Sequence, residues 1–131
     1  MTTKILCATD GHSEHAVELA ATLAQKLNVP LTVCLVNIAR GGARGPLIYD
    51  KADSEVKTLL DAAAALARKH GAKKVEEVTL RAREAGPGLV LYAEENGYDH
   101  IVVGTGDKHG VSRLMLGSVA ADVASKAHCT V

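Results

Sequence analysis

The chain has 131 residues, 47% of them apolar and 23% charged, enough for one domain with a single core and too apolar for a disordered segment. Fifteen basic and fifteen acidic side chains cancel, so no global field favours nucleic acid or an anionic membrane, and three tyrosines without phenylalanine or tryptophan make poor stacking platforms for bases. No apolar run reaches the roughly 18 residues of a spanning helix, and Met1-Thr2-Thr3-Lys4 leads straight into a strand pattern without the layout of a signal peptide.

One cytoplasmic domain over residues 1–131 is therefore expected. Cys7, Cys34 and Cys129 are far apart and sit in apolar, strand-like runs, which suits buried reduced thiols better than a disulfide framework or a zinc site. His12 and His15 are the only close histidine pair and lack a partner at ligand spacing.

Residues 4–9 (KILCAT) form a short continuous apolar run, as in a central parallel strand. Asp10-Gly11-His12-Ser13 turns the chain, with Ser13 expected as a helix N-cap. The next segment places Ala16, Leu19, Ala20, Leu23 and Leu27 on one helical face and ends near Asn28, before Pro30. Residues 31–38 (LTVCLVNI) read as a second buried strand. Residues 40–46 (RGGARGP) read as a mobile loop beside that strand's end.

A second helix is expected from Tyr49 to His70, with Val56, Leu59, Leu60, Ala63, Leu66 and Ala67 inward. Its acidic start and basic end suit the macrodipole, and Gly71 suits the position after the C-cap. Residues 74–82 alternate and read as an edge strand with one wet face. Pro87 suits the first position of a third helix carrying Val90, Leu91 and Ala93 and stopping at Asn96-Gly97. Ile101-Val102-Val103 is a further buried strand. Residues 119–127 form a last helix, and Cys129-Thr130-Val131 reads as a fifth strand cut short.

Alternating strands and helices require right-handed crossovers and a parallel sheet covered on both faces, with ligands outside the carboxyl ends of the strands. Residues 104–118 (GTGDKHGVSRLMLGS) lie there, between a strand and a helix, with glycine at 104, 106, 110 and 117. Glycines let backbone N–H groups approach a ligand, and a helix N-terminus favours anions, so the segment is a candidate phosphate cradle; the same spacing also suits a plain turn with a helix cap. Asp10 and Asn37 follow carboxyl ends too. Lys108, His109 and Arg113 suit solvated loop charges, and one of them could meet a phosphate.

ATDGHSEHA after the first strand, AEENGYDHIVVG before the loop and LMLGSVAADVASKAHCTV after it resemble the universal stress protein family along essentially the whole chain. In nucleotide-binding members the loop reads glycine, two residues, glycine, nine residues, glycine and serine or threonine. Gly104, Gly117 and Ser118 fit, whereas Asp107 stands where the second glycine belongs, with Gly106 one place early and Gly110 on a glycine often found further along.

The resemblance implies a single-domain, doubly wound, parallel five-stranded α/β sheet of order 3-2-1-4-5, of the adenine-nucleotide alpha-hydrolase-like type, and often a homodimer. It further implies an adenine nucleotide, ATP favoured, with Thr9 and Asp10 near the adenosine and Asn37 lining the base pocket. Gly104, Gly106, Asp107, Gly110, Gly117, Ser118 and Val119 would surround the phosphates. A magnesium ion at Asp107 would offset repulsion between its carboxylate and phosphate.

Enzyme readings lack support: there is no Gly-x-Ser-x-Gly elbow and no GxxxxGK[ST] loop. A phosphorylated-aspartate receiver needs an Asp where Arg81-Ala82-Arg83 stands. The expectation is a stress-response protein that binds nucleotide and acts through its dimer surface. The alternatives are a dimeric interaction module without nucleotide, and a slow ATPase.

Overall fold

The computed structural model describes residues 3–104 and 117–131, so Gly106, Asp107 and Gly110 lie outside the described residues. The continuous apolar runs become central strands. β1 (Ile5–Ala8) pairs in parallel with β2 (Leu31–Gly41), from Ile5 opposite Leu31 to Ala8 opposite Cys34. On its other side β1 pairs in parallel with β5 (His100–Val102), from Ile5 opposite His100 to Cys7 opposite Val102. β4 (Val75–Ala82) lies along the far edge of β2, from Leu31 opposite Val75 to Ile38 opposite Ala82. The parallel order is β4-β2-β1-β5, and Thr130 makes a single parallel bridge to His100 on the open side of β5. This is the expected α/β, doubly wound arrangement, and β4 is the expected edge strand with alternating exposure.

One strand runs against expectation. Of the segment read as a loop, Arg40 and Gly41 extend β2 while residues 42–46 turn the chain, and Leu47–Tyr49 then return as β3, antiparallel to β2, with Ala39 opposite Tyr49 and Gly41 opposite Leu47. Gly41 and Gly42 have φ of +80° and +92°, a left-handed backbone that glycine adopts without a Cβ clash. Arg40 clamps the hairpin by donating from Nε and Nη2 to the two carboxylate oxygens of Asp50 at 2.7 and 3.1 Å. Because residues 47–49 pair with β2, α2 begins at Asp53 rather than Tyr49.

α1 (Glu14–Leu27) and α2 (Asp53–Lys69) cover one face of the sheet, and α3 (Ala85–Glu95) and α4 (Ser118–Lys126) the other. The glycine and asparagine stops work as expected. After α2, the Gly71 N–H donates to Arg68 O at 3.1 Å and the Ala72 N–H to Ala67 O at 3.1 Å. The same paired closure recurs at Asn28-Val29 and at Gly97-Tyr98, which satisfies the last carbonyls of α1 and α3.

The buried face of α1 is not the leucine face. Ala16, Val17, Ala20, Ala21 and Ala24 meet the sheet and α2, while Leu19, Leu23 and Leu27 are 55%, 37% and 49% exposed. Small residues let the helix sit close to the strands, and close packing decides between two stripes that are both apolar. On α3, Leu89 is buried and Leu91 faces outward, and Pro87 occupies the third helical position, where its missing N–H is still one of the orphans.

Candidate functional site

From β1 the chain crosses to β2, and from β5 it continues on the other side of the sheet. These opposite departures open a crevice at the carboxyl ends of the two neighbouring strands, the place where such sheets hold ligands. Here the crevice is a cavity of about 100 Å³. Thr9, Asp10 and Ser13 form its β1 side, Gly104 its β5 side, and Val119 its α4 side; Val36, Leu89 and Val103 supply apolar walls.

The turn after β1 is tightly bonded. The Thr9 N–H extends the ladder to Cys34 O at 2.8 Å, and Thr9 Oγ1 accepts from the Gly11 N–H at 3.1 Å. Asp10 Oδ1 accepts from the His12 N–H at 2.8 Å and from Ser13 Oγ at 3.2 Å. Ser13 is therefore at the N-cap position of α1 without capping it: its hydroxyl holds Asp10 instead. Among the described residues no donor engages Asp10 Oδ2, which leaves that oxygen an acceptor toward the cleft.

Gly104 lies against this turn. A Cβ on it would stand 3.1 Å from Ser13 Oγ and 3.3 Å from Ser13 Cβ, so glycine lets the end of the β5 segment approach the head of α1. Across the cleft α4 begins at Ser118, and Gly117 rather than Ser118 is its N-cap, with no side-chain cap bond. The first bond of that helix runs from the Ala121 N–H to Gly117 O at 2.9 Å. The N–H groups of Ser118, Val119 and Ala120 thus have no intrahelical acceptor, and the positive end of the helix dipole is at the cleft. Thr9, Asp10, Gly104 and Val119 are brought together, with Gly117 and Ser118 adjoining them.

Asn37 is placed elsewhere. Side chains alternate across a strand, and Val36 takes the α3–α4 face, where the cleft is, so Asn37 points to the α1–α2 face. It is 1% exposed, and its amide brackets the Lys51 backbone: Nδ2 donates to Lys51 O at 2.8 Å and Oδ1 accepts from the Lys51 N–H at 3.0 Å. Its role there is to hold the approach to α2 on the end of β2. The apolar wall of Val36, Leu89 and Val103 carries no polar motif in the sequence; its only signal is that all three lie in apolar runs that reach a strand's carboxyl end or the start of a helix.

Asp10 is the only ionisable residue lining the cleft among the described residues. Burial pushes the Cys7 thiol up to about 12 and the Cys34 thiol higher still, so neither supplies a thiolate near neutrality. Cys129, expected to be buried, is partly exposed. No group of three or more His, Cys, Asp or Glu among the described residues could hold a metal ion, and no helix among them is long and apolar enough to cross a membrane. The described groups offer a carboxylate acceptor, a helix start for anions and an apolar wall between them. A larger cavity, about 260 Å³, lies between α1 and α2 and shares Thr9 and Ser13 with the cleft.

The universal stress protein family model matches residues 1–131. A universal stress protein of Methanocaldococcus jannaschii is 30% identical over 138 residues, spanning 98% of this chain and 79% of that protein. The universal stress protein from Archaeoglobus fulgidus, solved in complex with dAMP, is 32% identical and superposes with a TM-score of 0.76 over 98% of this chain and 94% of that one. A universal stress protein solved in complex with cAMP is 26% identical, with a TM-score of 0.75 over 99% and 94%. A family model matched from residue 1 to residue 131, on a sheet whose four parallel strands follow the first four places of the expected order, means that the chain belongs to the universal stress protein family.

Proposed function

We propose that this protein binds an adenine nucleotide in the cleft between β1, β5 and α4. The observation that carries the reading is the convergence of Thr9, Asp10, Gly104 and Val119 on one cavity beside the uncapped start of α4. Asp10 Oδ2 suits a ribose or base donor, the Ser118–Ala120 amides suit a phosphate, and Val36 and Leu89 suit the flat face of a base. Solved relatives in complex with dAMP and cAMP support the ligand class.

The resemblance of the loop to those of nucleotide-binding members favours ATP as the nucleotide, with a magnesium ion at Asp107 offsetting the repulsion between its carboxylate and phosphate. We place the protein in the cytoplasm, in a stress response, acting as a homodimer. Exposed Leu19, Leu23 and Leu27, on the flank of α1 away from α2, support an interaction surface. Calorimetric titration of the protein with AMP, ATP and GTP, each with and without magnesium, tests the ligand. Saturable binding of the adenine nucleotides over GTP is expected, with ATP gaining from magnesium. Absence of binding by either adenine nucleotide refutes the nucleotide reading and leaves the dimeric interaction module.

A further inference from the structure

The cavity between α1 and α2 lies on the face of the sheet opposite the apolar wall of the cleft, and nothing in the nucleotide reading uses it. Its walls are apolar: Val17 from α1, and Leu59, Ala63 and Leu66 from α2. Leu59 and Leu66 are only partly buried, because the residues facing them across the gap are too small to cover them. At about 260 Å³ the recess, open to solvent on one side, is close to the roughly 300 Å³ at which small-molecule pockets begin.

The polar groups are confined to one end, where Thr9 and Glu14 stand near the turn. Among the described residues, Glu14 is the only acidic or basic side chain of the lining. It also borders a second, polar recess of about 260 Å³, shared with Gly11, His12 and His15, which leads outward from the same end. Glu14 opens α1, and a helix start carries about half a positive charge, against a full negative charge on the carboxylate. The net field at the mouth is therefore negative. An apolar chamber with a negative mouth selects a molecule with an aliphatic body and a cationic head.

We propose that the α1–α2 chamber is a second small-molecule site, for a short aliphatic amine. The branched body would rest on Val17, Leu59 and Leu66, and the ammonium group would face Glu14. Because Glu14 is exposed, the charge contributes modestly, and the amine should outbind its isosteric alcohol by about two- to fivefold.

The test is a methyl-resolved NMR titration of the full chain with 3-methylbutylamine, 3-methylbutanol and 3-methylbutanoate. Saturable shifts at the Val17, Leu59 and Leu66 methyls are expected, with affinity falling from amine to alcohol to carboxylate. Glu14→Gln should bring amine and alcohol together, and Ala63→Leu should weaken all binding about tenfold or more by filling the chamber. Ala62→Leu, at an exposed helical position on the rim, does the same with less risk to the fold. No saturable shift at these methyls overturns the proposal. So does carboxylate binding as well as amine, or a chamber whose occupancy survives both filling variants.

Discussion

Gly104→Ala tests whether the cleft is set by contact between the end of the β5 segment and the head of α1. The new Cβ would meet Ser13 Oγ at 3.1 Å and Ser13 Cβ at 3.3 Å, so Ser13 must give by a few tenths of an ångström. It has little room to do so. Its carbonyl accepts from the Val17 N–H at 3.1 Å, and its hydroxyl donates to Asp10 at 3.2 Å, already long for such a bond. A small outward shift breaks the Ser13–Asp10 bond and frees the carboxylate. Mild overpacking and one exposed hydrogen bond together cost about 1–2 kcal/mol. Loss of the Asp10 anchor should weaken AMP binding about tenfold, equivalent to about 1.4 kcal/mol. Ser13→Gly removes both close atoms and leaves only Cα, at 3.8 Å. Adding Gly104→Ala to Ser13→Gly should therefore cost almost nothing further. Urea unfolding followed by circular dichroism, on the parent, the two single variants and the double, yields the coupling energy, expected at about 1 kcal/mol. Costs that add within about 0.5 kcal/mol would show that Ser13 does not limit the approach, and the reasoning fails.

Asn37→Leu should lose about 2–4 kcal/mol of stability, because it strands both the N–H and the C=O of Lys51, yet leave AMP affinity within about twofold; a matching loss of affinity in calorimetry would return Asn37 to the site. Gly86→Ala places a Cβ 2.5 Å from Asp122 Cβ, and helix propensity recovers only about 1 kcal/mol of the clash, so thermal unfolding should show a net loss of about 1–2 kcal/mol across the α3–α4 contact; an unchanged midpoint contradicts that contact. Burial pushes the Tyr98 phenol up to about 12, so the folded state prefers its neutral form, and this contribution to stability is complete below about pH 10 and declines as pH rises toward 12. Tyr98→Phe should cost about 1–2 kcal/mol at pH 8 through the 2.9 Å bond to Thr32 and should flatten that alkaline decline, with equal declines in both proteins counting against it. Leu23→Glu should shift the proposed dimer toward monomer in sedimentation, and an undisturbed dimer would move the interface away from α1.

The central strands and the helix stops were legible because each has a local cause. Residues 4–9, 31–38 and 101–103 are apolar runs bounded by turn residues, and Asn28, Gly71 and Gly97 mark the left-handed positions that close helices. The hairpin at Leu47–Tyr49 was not legible, since three residues become a strand only by pairing with an extension of β2. The face of α1 was ambiguous in the same way. Alanines and leucines form two apolar stripes of the same helical period, and only the closeness of the sheet selects the smaller side chains. Asn37 shows a third limit. A strand buried on both faces carries no alternation, so its sequence does not say which residue points to which side, and the residue that lines the cleft is Val36, one step before Asn37.

The two cavities share Thr9 and Ser13. Residues 9–13 form a single turn with a cavity on each side, and the turn is pinned from both. On the cleft side, a Cβ at Gly104 would stand 3.1 Å from Ser13 Oγ; on the chamber side, Leu59 stands 2.9 Å from where a Gly11 Cβ would be, and Gly11 holds a φ of +97° that only glycine adopts freely. Asp10 lies between these two contacts and is held by Ser13 and the His12 N–H rather than by the sheet. A guest in the proposed chamber that displaced Leu59 would act on the backbone that aims Asp10, and a nucleotide held by Asp10 in the cleft would act through the same turn on Leu59. Coupling of this kind would be reciprocal in free energy: calorimetry should find AMP affinity changed by the amine by the same factor as amine affinity is changed by AMP, and independent affinities would refute the link.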